Sequence, residues 1–319
     1  MKPLGGFFEL EIAREGQNYH PNALAFTTGR SCLNYILRQI KPSKLYLPYY
    51  CCDALIEPII LNHIKYEFYS IDKNLDPCGD LRLKGEEYLI YINYFGLKEN
   101  VIQALIGRYK GRVIIDNSQA FFERGYKKLW SFNSARKFFG VPDGAYLYAP
   151  VPIKKIKLPA AKVECNYLIN RLLGYQDKAF RQFRKNEEML TADICGISEL
   201  SKRLLANINY NSVIAKRRRN FAFLAKKIDK FNLLKLHCLK QPAAVPMFYP
   251  YLPGSEINRK IFYKNMIYMP IFWKEVLSRR VSGFDWEKEL SRKLIILPID
   301  HRIALEDLER IAKIILKDL

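Results

Sequence analysis

Between residues 23 and 150 short apolar runs alternate with amphipathic stretches, and this alternation limits the possible folds more than any other feature of the chain. The runs "KLYLPYY" (44–50), "KYEFYSID" (65–72), "EYLIYINYFG" (87–96), "RVIIDNS" (112–118) and "GAYLYAP" (144–150) have the length and aromatic or β-branched content of buried strands. Helix-like stretches lie among them: "ALAFTTGRSCLNYILRQI", with Leu33, Ile36 and Leu37 on one face, then "DALIEPIILNH" and "ENVIQALIGRYK". A strand that is apolar on both faces needs cover on both, and crossover helices supply it. The expectation is an α/β protein with a mainly parallel sheet.

After Pro159 the pattern changes. Residues 160–232 read as mostly helical and strongly charged, with one break at Gly196. Within them "AKRRRNFAFLAKKIDK" (215–230) predicts a helix with Phe221, Leu224 and Ile228 on one face and the cations on the other. Three strand-like runs bounded by prolines follow, "PAAVPMFYPYL", "MIYMPIFW" and "KLIILPID", and then a last helix, "LEDLERIAKIILKDL". This divides the chain into an N-terminal segment (1–22), a large α/β domain with its helical connector (23–215) and a small α+β domain (216–319).

Composition excludes some classes. The seven cysteines are scattered, no C-x-x-C pair exists and there are four histidines, so neither a metal site nor a disulfide framework is expected. Reduced thiols suit the cytoplasm. No apolar run is long enough to span a bilayer. The opening "MKPLGGFFELEIAREG" carries acids early and lacks the apolar core of a signal peptide, which again makes the cytoplasm the default. The formal charge is +20, but the cations are dispersed and do not alternate with stacking aromatics as single-strand binding requires. The charge is therefore expected to serve solubility or substrate attraction, not nucleic acid.

In α/β sheets ligands sit beyond the carboxyl ends of the strands. Four features fall there. "TTGRS" (27–31) opens a helix, whose free N–H groups suit a phosphate with Thr28, Gly29, Arg30 and Ser31 at hand. "LPYYCCDA" (47–54) ends a strand with Tyr50 and Cys52 available to cover a flat ring, or simply to pack in the core. Asp116 ends an apolar strand and is followed by Gln119; the carboxylate is either a helix cap or a partner for a cation. Lastly, "WSFNSARKFFGVPDGAYLY" (130–148) sets Arg136 beside Lys137, three residues after Ser134. Only the lysine can lose a proton and attack a carbonyl, and Phe138 and Phe139 are expected to desolvate it. The turn "GVPDGA" is expected to bring backbone close to whatever the lysine holds.

In chain order the set is a phosphate turn at a helix end, a ring-covering strand end, a carboxylate with its glutamine and then a lysine. A carboxylate, a lysine and a helix end are the groups that pyridoxal 5′-phosphate (PLP) requires. The chain resembles the PLP-dependent sugar aminotransferases of the DegT/DnrJ/StrS type. "TGRSCLNYIL", "LPYYCCDAL", "IIDNSQAFF", "SFNSARKFFGVPDGA" and "KLIILPIDHRIALEDLERIAKII" are similar to family segments over most of the chain; the family's N-x-R segment has no counterpart around "NEEMLTADICG". The resemblance implies fold type I of the aspartate aminotransferase superfamily, with a seven-stranded central sheet, helices on both faces and a smaller C-terminal α+β domain. It implies an amino acid as donor and a nucleotide-linked keto-sugar as acceptor, a role in polysaccharide or glycan biosynthesis, and a homodimer. It also implies roles: Lys137 bonded to the cofactor, Asp116 on its ring nitrogen and Gln119 on its ring oxygen. Thr28, Gly29, Arg30, Ser31 and Ser134 would hold the phosphate, and Tyr50 or Cys52 would cover the ring. A fold type I enzyme of other specificity and a polyanion-binding module built on the same fold remain alternatives.

Overall fold

The computed structural model describes residues 10–13, 16–151, 156–234 and 244–317. Cys238, most of the opening stretch and the last two residues of the chain lie outside them. Seven strands form one sheet: β1 (Leu24–Phe26), β2 (Lys44–Pro48), β3 (Lys65–Tyr69), β4 (Glu87–Ile92), β5 (Val113–Asn117), β6 (Trp130–Asn133) and β7 (Ala145–Tyr148). Their order is β1-β7-β6-β5-β4-β2-β3, with β7 antiparallel to both neighbours and every other pairing parallel. The five expected runs are all strands. The remaining two, β1 and β6, are too short to stand out as apolar runs.

The central strand β5 is buried at every position, which is why it reads as an unbroken apolar run. Helices α1 (Gly29–Ile40), α2 (Asp53–Leu61) and α3 (Glu99–Tyr109) make the crossovers. Helix α1 starts where Thr28, in extended geometry, accepts the Ser31 N–H, and it ends at Lys41 in the left-handed region. Its face of Leu33, Ile36 and Leu37 is buried as the spacing predicts. Each such side chain contributes roughly 1.5–3 kcal/mol on leaving water.

The connector is more broken than expected. It holds α4 (Asn166–Leu172), α5 (Gln176–Met189), α6 (Glu199–Ala206) and α7 (Tyr210–Ile228). Gly174, at φ +86°, separates the first pair, and Asn209 caps the last helix through Ser212 N. Gly196 is part of a real break, bridging Phe26 and Ala160. Helix α7 buries Phe221, Leu224 and Ile228 and runs straight through the division expected at 215/216.

Beyond it, β8 (Phe248–Tyr251), α8 (Lys260–Lys264), α9 (Asp285–Lys293), β9 (Ile295–Pro298) and α10 (Leu305–Lys317) follow, with β8 and β9 paired antiparallel. The run "MIYMPIFW" is not a strand. Pro270 has no N–H to give a ladder, and Met266 and Trp273 both take φ +58°. Its aromatics pack instead: Trp273 meets Tyr50 edge-on at 4.6 Å, and Phe272 stacks on Phe95. Among the described residues no helix is long and apolar enough to cross a membrane.

Candidate active site

Strands β2, β5 and β6 point their carboxyl ends the same way, as does β1, so the loops after them share one edge of the sheet. Asp116 stands at the end of β5, buried, and no helix follows it, which removes the cap reading. Ser118 donates its amide to Asp116 at 2.7 Å. Burial pushes the Asp116 carboxyl above the usual range, partly offset by Lys137 and by the bonds from Ser118.

Lys137 closes a short 3-10 turn, Ala135–Lys137, after β6. Successive side chains in such a turn are about 120° apart, so two neighbouring cations cannot point the same way. Lys137 Nζ reaches Ser118 Oγ at 2.9 Å, beside Asp116. Arg136 turns to α5 and pairs with Glu187. The two phenylalanines do not surround the amine. Phe138 and Phe139 are buried against Phe121 and Phe122, whereas Lys137 is exposed. The cation over Phe138 is Arg217, 4.7 Å from the ring centre.

The turn "GVPDGA" is likewise committed to protein. Asp143 accepts Ser198 N at 2.7 Å and Ser198 Oγ at 2.5 Å, as well as the Ser201 hydroxyl. Gly144 gives its N–H to Thr27 O at 2.7 Å and takes that of Ala135 at 2.9 Å, tying the turn of α1 to the turn of Lys137. Its φ of +127° and the 3.0 Å approach that a Cβ would make to Ile197 require glycine.

Around the start of α1, Thr28 Oγ1 and Thr27 Oγ1 each lie 2.9 Å from Ser31 Oγ. The first intrahelical bond is Cys32 N to Thr28 O, so the N–H groups of Gly29 and Arg30 face out of the helix end. The Arg30 side chain departs from its expected role: Glu57 holds it at 3.0 Å and the Leu190 carbonyl at 2.9 Å. Segment 190–195 forms a strap over this helix end, held also by Asn34 to Ala192 O at 2.8 Å and by Thr27 N to Cys195 O at 3.1 Å. Nothing local in the sequence announces that strap.

Tyr50 is not a ring cover. It is fully buried against Tyr94 and Trp273. Cys52, which precedes α2, does face the site: Lys137, Asp116 and Arg30 are its electrostatic neighbours, and burial pushes its thiol up. Gln119 is buried with its amide oxygen accepting Phe95 N at 2.7 Å, which leaves its NH2 end for a ligand. Ser134 is buried at the start of the lysine turn and makes no capping bond.

A cavity of about 560 Å³ opens on the outer side of Lys137, within the size range of small-molecule sites. Its wall includes Arg136, Arg217, His301 and Arg302. Arg217 was legible in principle: it lies four residues after Val213 and four before Phe221, on the buried face of α7 and not among the outward cations.

The sequence matches no protein-family model and no curated protein. Solved structures match it closely in shape. An aminotransferase of Helicobacter pylori, PseC, involved in the biosynthesis of pseudoaminic acid, superposes with a TM-score of 0.65 at 14% identity, covering 92% of this chain and 86% of that one. The fold is that of type I PLP-dependent aminotransferases. A DegT DnrJ EryC1 StrS aminotransferase from Brucella abortus gives 0.63 at 16% identity, over 92% of this chain and 85% of its own. The sugar aminotransferase CalS13 from Micromonospora echinospora gives 0.60 at 13%, over 93% and 87%. The mainly parallel seven-stranded sheet and the smaller C-terminal α+β part are as expected of this fold.

The donor set fits PLP. A buried carboxylate leaning on one residue, an exposed amine beside it and a helix N-terminus with outward N–H groups sit on one sheet edge.

Proposed function

We propose that this chain is a PLP-dependent aminotransferase that moves an amino group from an amino acid to a keto-sugar, nucleotide-linked, in polysaccharide or glycan biosynthesis. The observation that carries the reading is the direction of Lys137, whose Nζ meets Ser118 beside buried Asp116 while Arg136 turns to Glu187. The sugar aminotransferases that share the fold support the substrate class.

PLP, when bound, supplies an electrophilic aldehyde and an electron-accepting ring. Lys137 would hold the aldehyde carbon and afterwards carry the proton removed from the donor's Cα. Asp116, ionised, would hold a proton on the ring nitrogen. The α1 end, with the Gly29 and Arg30 N–H groups, Thr28, Ser31 and nearby Ser134, would take the phosphate. Cys52 would lie against the ring, and Gln119 would offer its NH2 to the ring oxygen.

The working form is a homodimer in the cytoplasm. Exposed apolar residues on α4 and α5 support the first: Leu172 is 85% exposed, Phe180 63% and Met189 60%. The free state of all six described cysteines supports the second.

Borohydride reduction of the PLP-loaded protein followed by peptide mapping tests the assignment. The label is expected on residue 137, and Lys137→Ala is expected to lose both label and turnover. A label on another lysine, or a Lys137→Ala protein that still bonds the cofactor, would overturn it.

A further inference from the structure

Arg217 is 2% exposed, on the buried face of α7, and among the described residues no carboxylate lies within ion-pair distance of it. Its Nη1 donates to the carbonyls of Pro246 and Met247 at 3.3 and 2.9 Å, and its plane lies over Phe138. Its Nε is buried with no partner. The nearest acid, Asp300, is already taken in a two-point pair by Arg302, at 2.7 and 3.1 Å. His301, an electrostatic neighbour of Arg217 on the same cavity wall, also has a buried ring nitrogen, Nδ1, with no partner.

A buried guanidinium without an anion is costly, since desolvation is not repaid by a counter-charge. Here two residues that line the cavity reaching Lys137, Arg217 and His301, each keep a buried nitrogen without a partner. Apart from Asp300, which Arg302 holds, the charged side chains of a largely apolar wall are cations: Lys137, Arg171 and Arg217 stand beside the already paired Arg136 and Arg302.

We infer that Arg217 and His301 form an anion subsite, which takes an oxyanion group, carboxylate or phosphate, of a substrate whose reacting end lies at Lys137. The second half of this statement rests on the proposed aminotransferase reading; the subsite itself does not. A planar guanidinium suits an oxyanion through two N–H bonds, and the flat Phe138 beneath holds its plane. The arrangement makes Arg217 a specificity-determining residue for the anionic part of the donor or of the acceptor.

Isothermal titration of the full-length, PLP-treated protein with glutarate and with inorganic pyrophosphate separates the two sources. Neither probe can react with the cofactor. At least one is expected to bind, and Arg217→Gln is expected to weaken it at least about tenfold. Loss confined to glutarate assigns the subsite to a substrate carboxylate; loss confined to pyrophosphate assigns it to a phosphate. Should the Gln variant fail to fold, Arg217→Lys and His301→Ala decide, each expected to weaken the same anion several-fold. Binding of neither probe by the wild type, or affinities unchanged in the variants, would overturn the subsite. The visible band of bound cofactor is read in the same samples. A band with anion binding indifferent to Arg217 removes the subsite and leaves the aminotransferase reading; Arg217-dependent binding without any band does the reverse.

Discussion

Two buried aspartates mark two regions of this molecule, and they are held differently. Asp143, 1% exposed, gathers the Ser198 amide and hydroxyl and the Ser201 hydroxyl, all from the start of α6. Asp116, 6% exposed at the end of β5, leans on Ser118 alone and looks to Lys137. A carboxylate that accepts three bonds from one helix start is a fastener. One that takes its bonds from a single residue and faces a lysine amine is held for something else. Burial is common to both; the supply of donors separates them.

The largest effect should come from Asp116→Asn. Turnover should fall roughly 10²–10³-fold, as for loss of other electrostatic stabilisers of developing charge, read by single-turnover kinetics on saturating cofactor. Stability should hold. The folded carboxyl lies above its unfolded value, so ionising it costs stability as pH rises past that value. The Asn variant is therefore expected to melt no lower than wild type at neutral pH. A variant with normal rate and lowered melting point would make Asp116 a second fastener.

Asp143→Ala should do the opposite. Urea denaturation should show a loss of about 3 kcal/mol, because three buried donors lose a charged acceptor at once. Partial rescue by Asn, which keeps an acceptor, would confirm bonding over volume.

Glu123 sharpens the contrast with a half-buried acid that has a like-charged neighbour. Burial and Glu99 push its carboxyl up to about 7. Its folded value is above the unfolded one, so stability is lost as pH rises from about 4.5 to about 7 and is not regained above that. Glu123→Gln should raise stability at pH 8 by on the order of 1–3 kcal/mol and leave it unchanged at pH 4, measured by denaturant titration at both values. The smallest effect belongs to the turn that carries Asp143: Gly144→Ala should cost about 1–2 kcal/mol through its left-handed backbone, read as a lower urea midpoint.

Much of this was legible in the chain. Strands β4 and β5 announce themselves because both faces are largely buried, so their apolar runs are continuous, whereas β3, at the sheet edge with three exposed positions, shows only through its aromatic content. Lys137 was separable from Arg136 by proton chemistry alone. The reason offered for it was not: Phe138 and Phe139 neighbour the lysine in sequence, but their rings belong to the cluster around Phe121. Tyr50 and Cys52 looked equivalent as ring covers, and packing against Trp273, more than 200 positions away, removed the tyrosine. Arg30 was withdrawn in the same way by Glu57 and by the strap at Leu190.

The sequence by itself determined the order of elements and the chemical types brought to the strand ends, because period, turn residues and protonation chemistry are local properties. Only the tertiary structure decided which of those groups are already spent. Arg30, Arg136 and Arg302 find carboxylates, Asp143 finds its serines, and Arg217 finds no carboxylate within ion-pair distance among the described residues. Whether a charge is satisfied depends on partners brought within about 3 Å from distant parts of the chain, and no local pattern encodes that distance.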